Sequence, residues 1–316
     1  MESNNRLFTS GHQVLDTIAS AFVGKETTIL KVFLAILAQG HVLLEDIPGV
    51  GKTTLALAFS KALALKYNRM QFTPDVLPSD VTGFSAFNKE TKRLEYVPGA
   101  VMCNLFLADE LNRASSRTQS ALLEAMEEGQ ATVDGVSHPL PQPFVVIATQ
   151  NPVGASGTQL LPDSQMDRFM IRLSLGYMSL EDEVALLKRK QGVNLLDTVR
   201  QILTNQDLRQ MQREVDAVHV ATELLRYIVS LVGETRRHPA ILQGASPRAS
   251  IALTNISKAL AYIQGRDYVT PKDIRPLFIN TVAHRLILKT GIAHESVTAE
   301  AVSAEILESV RAPRVS

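Results

Sequence analysis

An excess of either charge is missing from this chain of 316 residues: Lys+Arg and Asp+Glu both number 32. Neutrality removes the long-range pull that draws basic proteins to nucleic acid or anionic membrane, and no run of like charges marks a local patch. Cysteine is all but absent. The single Cys103 can form no internal disulfide and points to a reducing compartment. No apolar stretch reaches membrane-spanning length; the region around Ile29–Leu37 is too short and stops at Gln39-Gly40. The opening Met-Glu-Ser-Asn-Asn-Arg lacks the basic-then-apolar pattern of a signal peptide, and there is no internal repeat or low-complexity segment. What remains is the expectation of a cytoplasmic protein long enough for two domains.

What is present begins at Val42. A short apolar run, Val42–Glu45, leads into Asp46-Ile-Pro48-Gly49-Val50-Gly51-Lys52-Thr53-Thr54. Glycines in such a loop let backbone N–H groups face an anion that a side chain would block. The helix expected from Lys52 adds its unpaired amides and positive dipole end. Lys52 can reach β and γ phosphates, and the Thr53 hydroxyl can ligate Mg²⁺. Pro48, Gly49, Val50, Gly51, Lys52, Thr53 and Thr54 are therefore the candidate nucleotide-binding set. One residue departs from the strict pattern G-x-x-x-x-G-K-[ST]: Asp46 stands where the first glycine belongs.

Further short apolar runs at Arg69–Phe72, Leu105–Asp109, Phe144–Ala148 and Met170–Leu175 read as strands, with helices at Lys52–Leu65 and Arg117–Glu128. The second of these helices has Ser116 and Gln119 at capping-box spacing and stops at Gly129. The alternation predicts an α/β fold, a doubly wound parallel sheet with ligands at its carboxyl edge. Two β-hairpins interrupt it, Phe84–Phe87 with Arg93–Val97 and Ala131–Val133 with Val136–His138, the latter turning on Asp134-Gly135. Beyond about residue 178 strands are not expected. Helices at Glu181–Lys190, Asn205–Glu214, Ala221–Arg236, Pro247–Gln264 and Pro271–Arg285 make an all-α second domain, with Ser246-Pro247 and Thr270-Pro271 as capped starts. The expected division is 1–185 and 186–316.

The strand Leu105–Asp109 ends in two adjacent carboxylates. Beside a phosphate loop, Asp109 can hold Mg²⁺ through water and Glu110 can polarise the attacking water. Asn151, before Pro152, reads by itself as a turn residue; after a strand in this fold it is also placed to orient water. On its own, Arg168 is best read as pairing with Asp163 or Asp167. Arg248 falls in the first turn of a helix, where the dipole disfavours a cation, so either it answers an anion elsewhere or it is solvated.

Together these blocks resemble the MoxR family of AAA+ ATPases, in the group that also holds the magnesium-chelatase motor subunits. The resemblance rests on Glu45-Asp-Ile-Pro-Gly-Val-Gly-Lys-Thr-Thr, Leu107-Ala-Asp-Glu-Leu-Asn-Arg-Ala and Leu122-Leu-Glu-Ala-Met-Glu-Glu-Gly-Gln. It continues through Ala148-Thr-Gln-Asn-Pro, Asp167-Arg-Phe and Gly244-Ala-Ser-Pro-Arg, and so covers about residues 20 to 290. It implies ATP/ADP and Mg²⁺ as ligands, with Lys52 and Thr53 as the Walker A pair and Asp109 and Glu110 as the Walker B pair. Asn151 matches sensor 1, Arg248 the sensor 2 arginine of the lid, and Arg168 an arginine finger for a neighbouring subunit. Phe22 and Val23 fall where the adenine pocket begins. The two hairpins resemble the helix-2 insert and the pre-sensor-1 hairpin.

The resemblance further implies a homo-oligomeric ring, usually hexameric, with hydrolysis at subunit interfaces. Its clients would be proteins, often with a von Willebrand factor A domain partner, in a chaperone-like role without membrane. Alternatives are a DNA-acting motor, which the neutral charge disfavours, and a chelatase-type motor subunit.

Overall fold

The structure, a computed structural model, describes residues 2–46, 49–151, 161–189, 195–289 and 297–313. Two helices come first, α1 (Glu2–Ala21) and α2 (Glu26–Leu37). The core then runs β1 (Val42–Glu45), α3 (Lys52–Ala62), β2 (Tyr67–Gln71), α4 (Pro78–Thr82), β3 (Gly83–Asn88), β4 (Arg93–Pro98), β5 (Leu105–Asp109) and α5 (Ser116–Glu128). It closes with β6 (Gln130–Val133), β7 (Val136–Pro139), β8 (Val145–Gln150), α6 (Asp163–Met166) and β9 (Ile171–Leu173).

Strands β2, β5, β8, β1 and β9 pair in that order as a parallel sheet. Its middle strands β5 and β8 are buried at every residue, which is why they read as unbroken apolar runs. Register pairs Gln71 with Asp109 and Glu45 with Gln150. Polar residues thus gather at the carboxyl ends of neighbouring strands, the edge where this architecture binds ligands.

Helix α5 is capped one residue earlier than expected. Ser115, not Ser116, accepts from the Thr118 amide (3.3 Å), and Gly129 closes the helix. Both hairpins form, β3 with β4 and β6 with β7, the latter through Asp134 and Gly135 at φ 49° and 78°. They touch: Tyr96 of β4 stacks on His138 of β7, with ring centroids 3.7 Å apart.

The second part holds α7 (Leu180–Arg189), α8 (Asn205–Asp216), α9 (Thr222–Thr235), α10 (Pro247–Ile263), α11 (Pro271–Val282) and α12 (Ala299–Ser309). It is not free of strands. β10 (Ile241–Gln243) and β11 (Ile287–Leu288) form a short antiparallel ribbon, two or three residues per strand and too brief to show periodicity. One hydrophobic cluster runs from α1 (Val14, Ile18) and α2 through α3 into α8, α10 and α11 (Met211, Leu253, Phe278), so sheet and lid share a core. Among the described residues no helix is long and apolar enough to cross a membrane.

Candidate active site

The phosphate loop leaves β1 and enters α3. Gly49 and Gly51 stand at φ 89° and 97°, conformations that side chains rarely adopt, and a Cβ on Gly51 would come within 3.3 Å of the Phe22 ring. Pro48 lies outside the described residues. Lys52 opens α3, is 7% exposed, and donates from Nζ to the Asp46 carbonyl (2.7 Å). Burial pulls its pKa down, and the charges of Asp46, Asp109 and Glu110 oppose that pull.

A cleft of about 350 Å³ is lined by Gly49, Gly51, Lys52, Thr53, Thr54, Arg69, Gln71, Asp109, Glu110 and Asn151. The fold therefore gathers most of the expected nucleotide set in one place. Phe22 is buried against Gly51, at the rim of this loop. Val23 is partly buried next to it, and Val50 packs partly against the core.

The two carboxylates are held by a residue that the sequence did not single out. Thr149, fully buried on β8, donates from Oγ1 to Asp109 Oδ1 (2.7 Å) and accepts from the Glu110 amide (2.8 Å). Glu110 itself sits at φ 56°, in the left-handed region, where a non-glycine residue costs about 1–3 kcal/mol. That turn aims its carboxylate out of the strand direction and into the cleft. Arg113 donates to Glu110 Oε2 (2.9 Å) and Asn151 Nδ2 to Oε1 (3.2 Å). Arg113 lowers the Glu110 pKa most; burial raises it, while Asn151 and Gln71 lower it further.

Asp109 also pairs with Arg69 (2.7 Å). Arg69 and Gln71 alternate on β2, so both side chains reach the same face, a period-2 signal present in the sequence but easily lost in so short a strand.

Arg168 and Arg248 lie elsewhere. Neither lines the phosphate cleft of its own chain; both line a second cleft of about 310 Å³ with Glu127, Asp167 and Arg285. Glu127, near the end of α5, pairs with Arg168 (3.0 Å) and with Arg248. Arg168 thus pairs with Glu127 in place of the expected Asp163 or Asp167, and Asp167 is taken by Arg285 (3.1 Å) and by the Ser246 hydroxyl (2.8 Å). The anion that offsets Arg248 at its unfavourable helix start is Glu127.

Comparison with known proteins matches this fold. The profile of the ATPase family associated with various cellular activities (AAA) fits residues 41–171, and that of the AAA lid domain fits residues 233–306. The chain is 35% identical to chaperone MoxR1 of Mycobacterium tuberculosis (strain ATCC 25618 / H37Rv), over 93% of this chain and 80% of that protein. The chain belongs to the MoxR family of AAA+ ATPases. Another relative is the uncharacterized protein YeaC of Bacillus subtilis (strain 168), 45% identical over 95% of this chain and 94% of its own length. A crystal structure of a candidate ATPase from Cytophaga hutchinsonii ATCC 33406 superposes with a TM-score of 0.91 at 36% identity, covering 99% of this chain and 98% of that one. As a MoxR-family AAA+ ATPase, the chain binds nucleotide and hydrolyses ATP.

Proposed function

We propose that the chain is the subunit of a homo-oligomeric ring, a hexamer as is usual in its family, that hydrolyses ATP between subunits and remodels protein clients. The observation that carries this reading is the division of the charged groups into two clefts. Lys52, Asp109, Glu110 and Asn151 face one, while Arg168 and Arg248 are held together on the other. A γ-phosphate in the first cleft gains neither Arg168, just after α6, nor Arg248 of α10 from its own chain. An adjoining subunit that presents its Glu127-held arginine pair would complete the site. Arg248 is then read as acting on a neighbour, like Arg168, and not on its own nucleotide.

In this reading Lys52 offsets phosphate charge, Glu110 accepts the proton of the attacking water, and Asn151, already bonded to Glu110, orients it. Thr53 and Asp109 would hold Mg²⁺, which supplies charge neutralisation between the phosphates. The fit is good: both are hard oxygen donors on the phosphate cleft, and Mg²⁺ takes few protein ligands when phosphates provide the rest. Phe22 and Val23 are assigned to the adenine, with Pro48, Gly49, Val50, Gly51 and Thr54 around the phosphates.

The core is taken as 1–185 and the lid as 186–316. The β3–β4 hairpin supports a client-facing role by exposing Phe84, Phe87 and Leu94 to 49%, 61% and 71%. A von Willebrand factor A domain protein fits as partner and the cytoplasm as compartment, where Cys103 stays a buried thiol.

Mixing two inactive variants tests the shared site. Arg168→Ala keeps its own Glu110, and Glu110→Gln keeps its own Arg168. In a randomly mixed ring about a quarter of the sites would pair the two intact halves and regain turnover. The same mixture with Arg248→Ala should recover as well; recovery with neither arginine variant would refute a shared site.

A further inference from the structure

Asp46 stands where the strict phosphate-loop pattern has glycine, and its carboxylate does not line the phosphate cleft. The residue is 5% exposed. Its oxygens accept from Ser174 Oγ (2.6 Å), the Leu175 amide (2.5 Å) and the Gly176 amide (2.9 Å). Those residues follow β9 and begin the connection to α7 and the lid. The carbonyls of the same stretch are held from the other side. Lys25, 9% exposed, donates from Nζ to the carbonyls of Leu175, Gly176 (3.3 Å) and Tyr177 (2.9 Å). Acid and base therefore grip both edges of one short segment.

The Asp46 end of this grip reaches the nucleotide cleft directly, and the Lys25 end lies near its loop. The Asp46 carbonyl accepts from Lys52 Nζ, so one residue touches the phosphate lysine by its main chain and the lid connection by its side chain. Lys25 is three residues past Phe22, which lies against Gly51, and the Asp182 side chain of α7 lies against Gly24. Burying a carboxylate is costly unless several donors converge on it, as they do here, and phosphate contact has no use for it.

We propose that Asp46 and Lys25 are positioning residues for ATP turnover, a clasp that fixes the core-to-lid connection to the phosphate loop. When Lys52 exchanges the Asp46 carbonyl for a phosphate oxygen, the clasp passes that shift to the connection and so to the lid that carries Arg248. This rests on the reading of Lys52 as the phosphate lysine and of Arg248 as serving turnover.

The test compares the full chain with Asp46→Gly, Asp46→Asn, Lys25→Met and Lys52→Ala. Affinity is read with a fluorescent ATP analogue, turnover by phosphate release, and amide exchange at 174–177 with and without ADP. Asp46→Gly, which restores the strict motif, should keep its affinity and KM within about twofold yet lose about tenfold in kcat. Asp46→Asn, which keeps one acceptor oxygen, should fall between, and Lys25→Met should match Asp46→Gly. ADP should protect the Leu175 and Gly176 amides in the parent and not in Asp46→Gly. Parent-like kcat in Asp46→Gly overturns the clasp, and so does a parallel fall of affinity, kcat and thermal midpoint in both Asp46 variants, which marks a purely structural role. If Lys52→Ala keeps its affinity, the phosphate-loop reading falls first; if it loses affinity while Asp46→Gly keeps its kcat, only the clasp falls.

Discussion

Replacing Thr149 by Val removes one hydroxyl and almost no volume, yet it should disarm the carboxylate pair. The hydroxyl donates to the buried Asp109 carboxylate and accepts from the amide of Glu110. A hydrogen bond to a charged group contributes about 1.5–3 kcal/mol, and a buried amide left unpaired costs about 1–3 kcal/mol. Glu110 also holds a left-handed φ of 56°, and its amide is the group that Thr149 accepts from. Relaxation of that turn recovers part of the loss, so a net destabilisation of roughly 2–4 kcal/mol is expected, large against a total of about 5–15 kcal/mol. The same relaxation moves the Glu110 carboxylate, and a displacement near 1 Å costs on the order of 10²-fold in rate. Stability is measured by urea unfolding followed by circular dichroism, since the chain has no tryptophan. Turnover is measured by phosphate release well below the unfolding midpoint. Thr149→Ser, which keeps the hydroxyl, is the control and should retain most activity. Full kcat in Thr149→Val, or an equal loss in Thr149→Ser, would refute the reasoning.

Two further outcomes are expected. Lys52→Ala should abolish binding of the fluorescent nucleotide, because that lysine is the cation that α3 carries into the phosphate cleft; retained affinity in a titration would contradict the assignment. Arg113→Gln should shift the acid limb of the pH–rate profile upward, because Arg113 is the largest cause of the lowered Glu110 pKa. The sign follows from linkage. A depressed carboxylate pKa gives stability that is present above its unfolded pKa and lost as pH falls through the folded one, so in Arg113→Gln both stability and the active anionic form should be lost at a higher pH. An unmoved acid limb would mean that the limb reports another group.

The sheet was legible in the sequence because its buried strands are unbroken apolar runs, and β1 and β5 match their expected bounds residue for residue. Helices α1 and α12 were not legible. Their apolar residues gain meaning only from the lid and sheet that bury them, as Val14 and Ile18 do against the shared core. Arg69, Gln71 and Thr149 were missed for a related reason: they act on Asp109 and Glu110 across strand neighbours that are far apart in sequence. Glu127 was invisible as well, since nothing local marks which carboxylate on α5 faces two arginines.

Local chemistry, then, was determined by sequence alone. A glycine loop ending in Lys52-Thr53 and an apolar strand ending in Asp109-Glu110 set their candidate chemistry in adjacent residues, and short-range geometry suffices to mark them. Tertiary structure decided what no spacing encodes: that Arg168 and Arg248 share one carboxylate away from their own phosphate cleft, and that Asp46 turns its side chain to the lid connection. Those outcomes depend on which helix packs on which strand, where hydrogen bonds and ion pairs join residues tens to hundreds of positions apart.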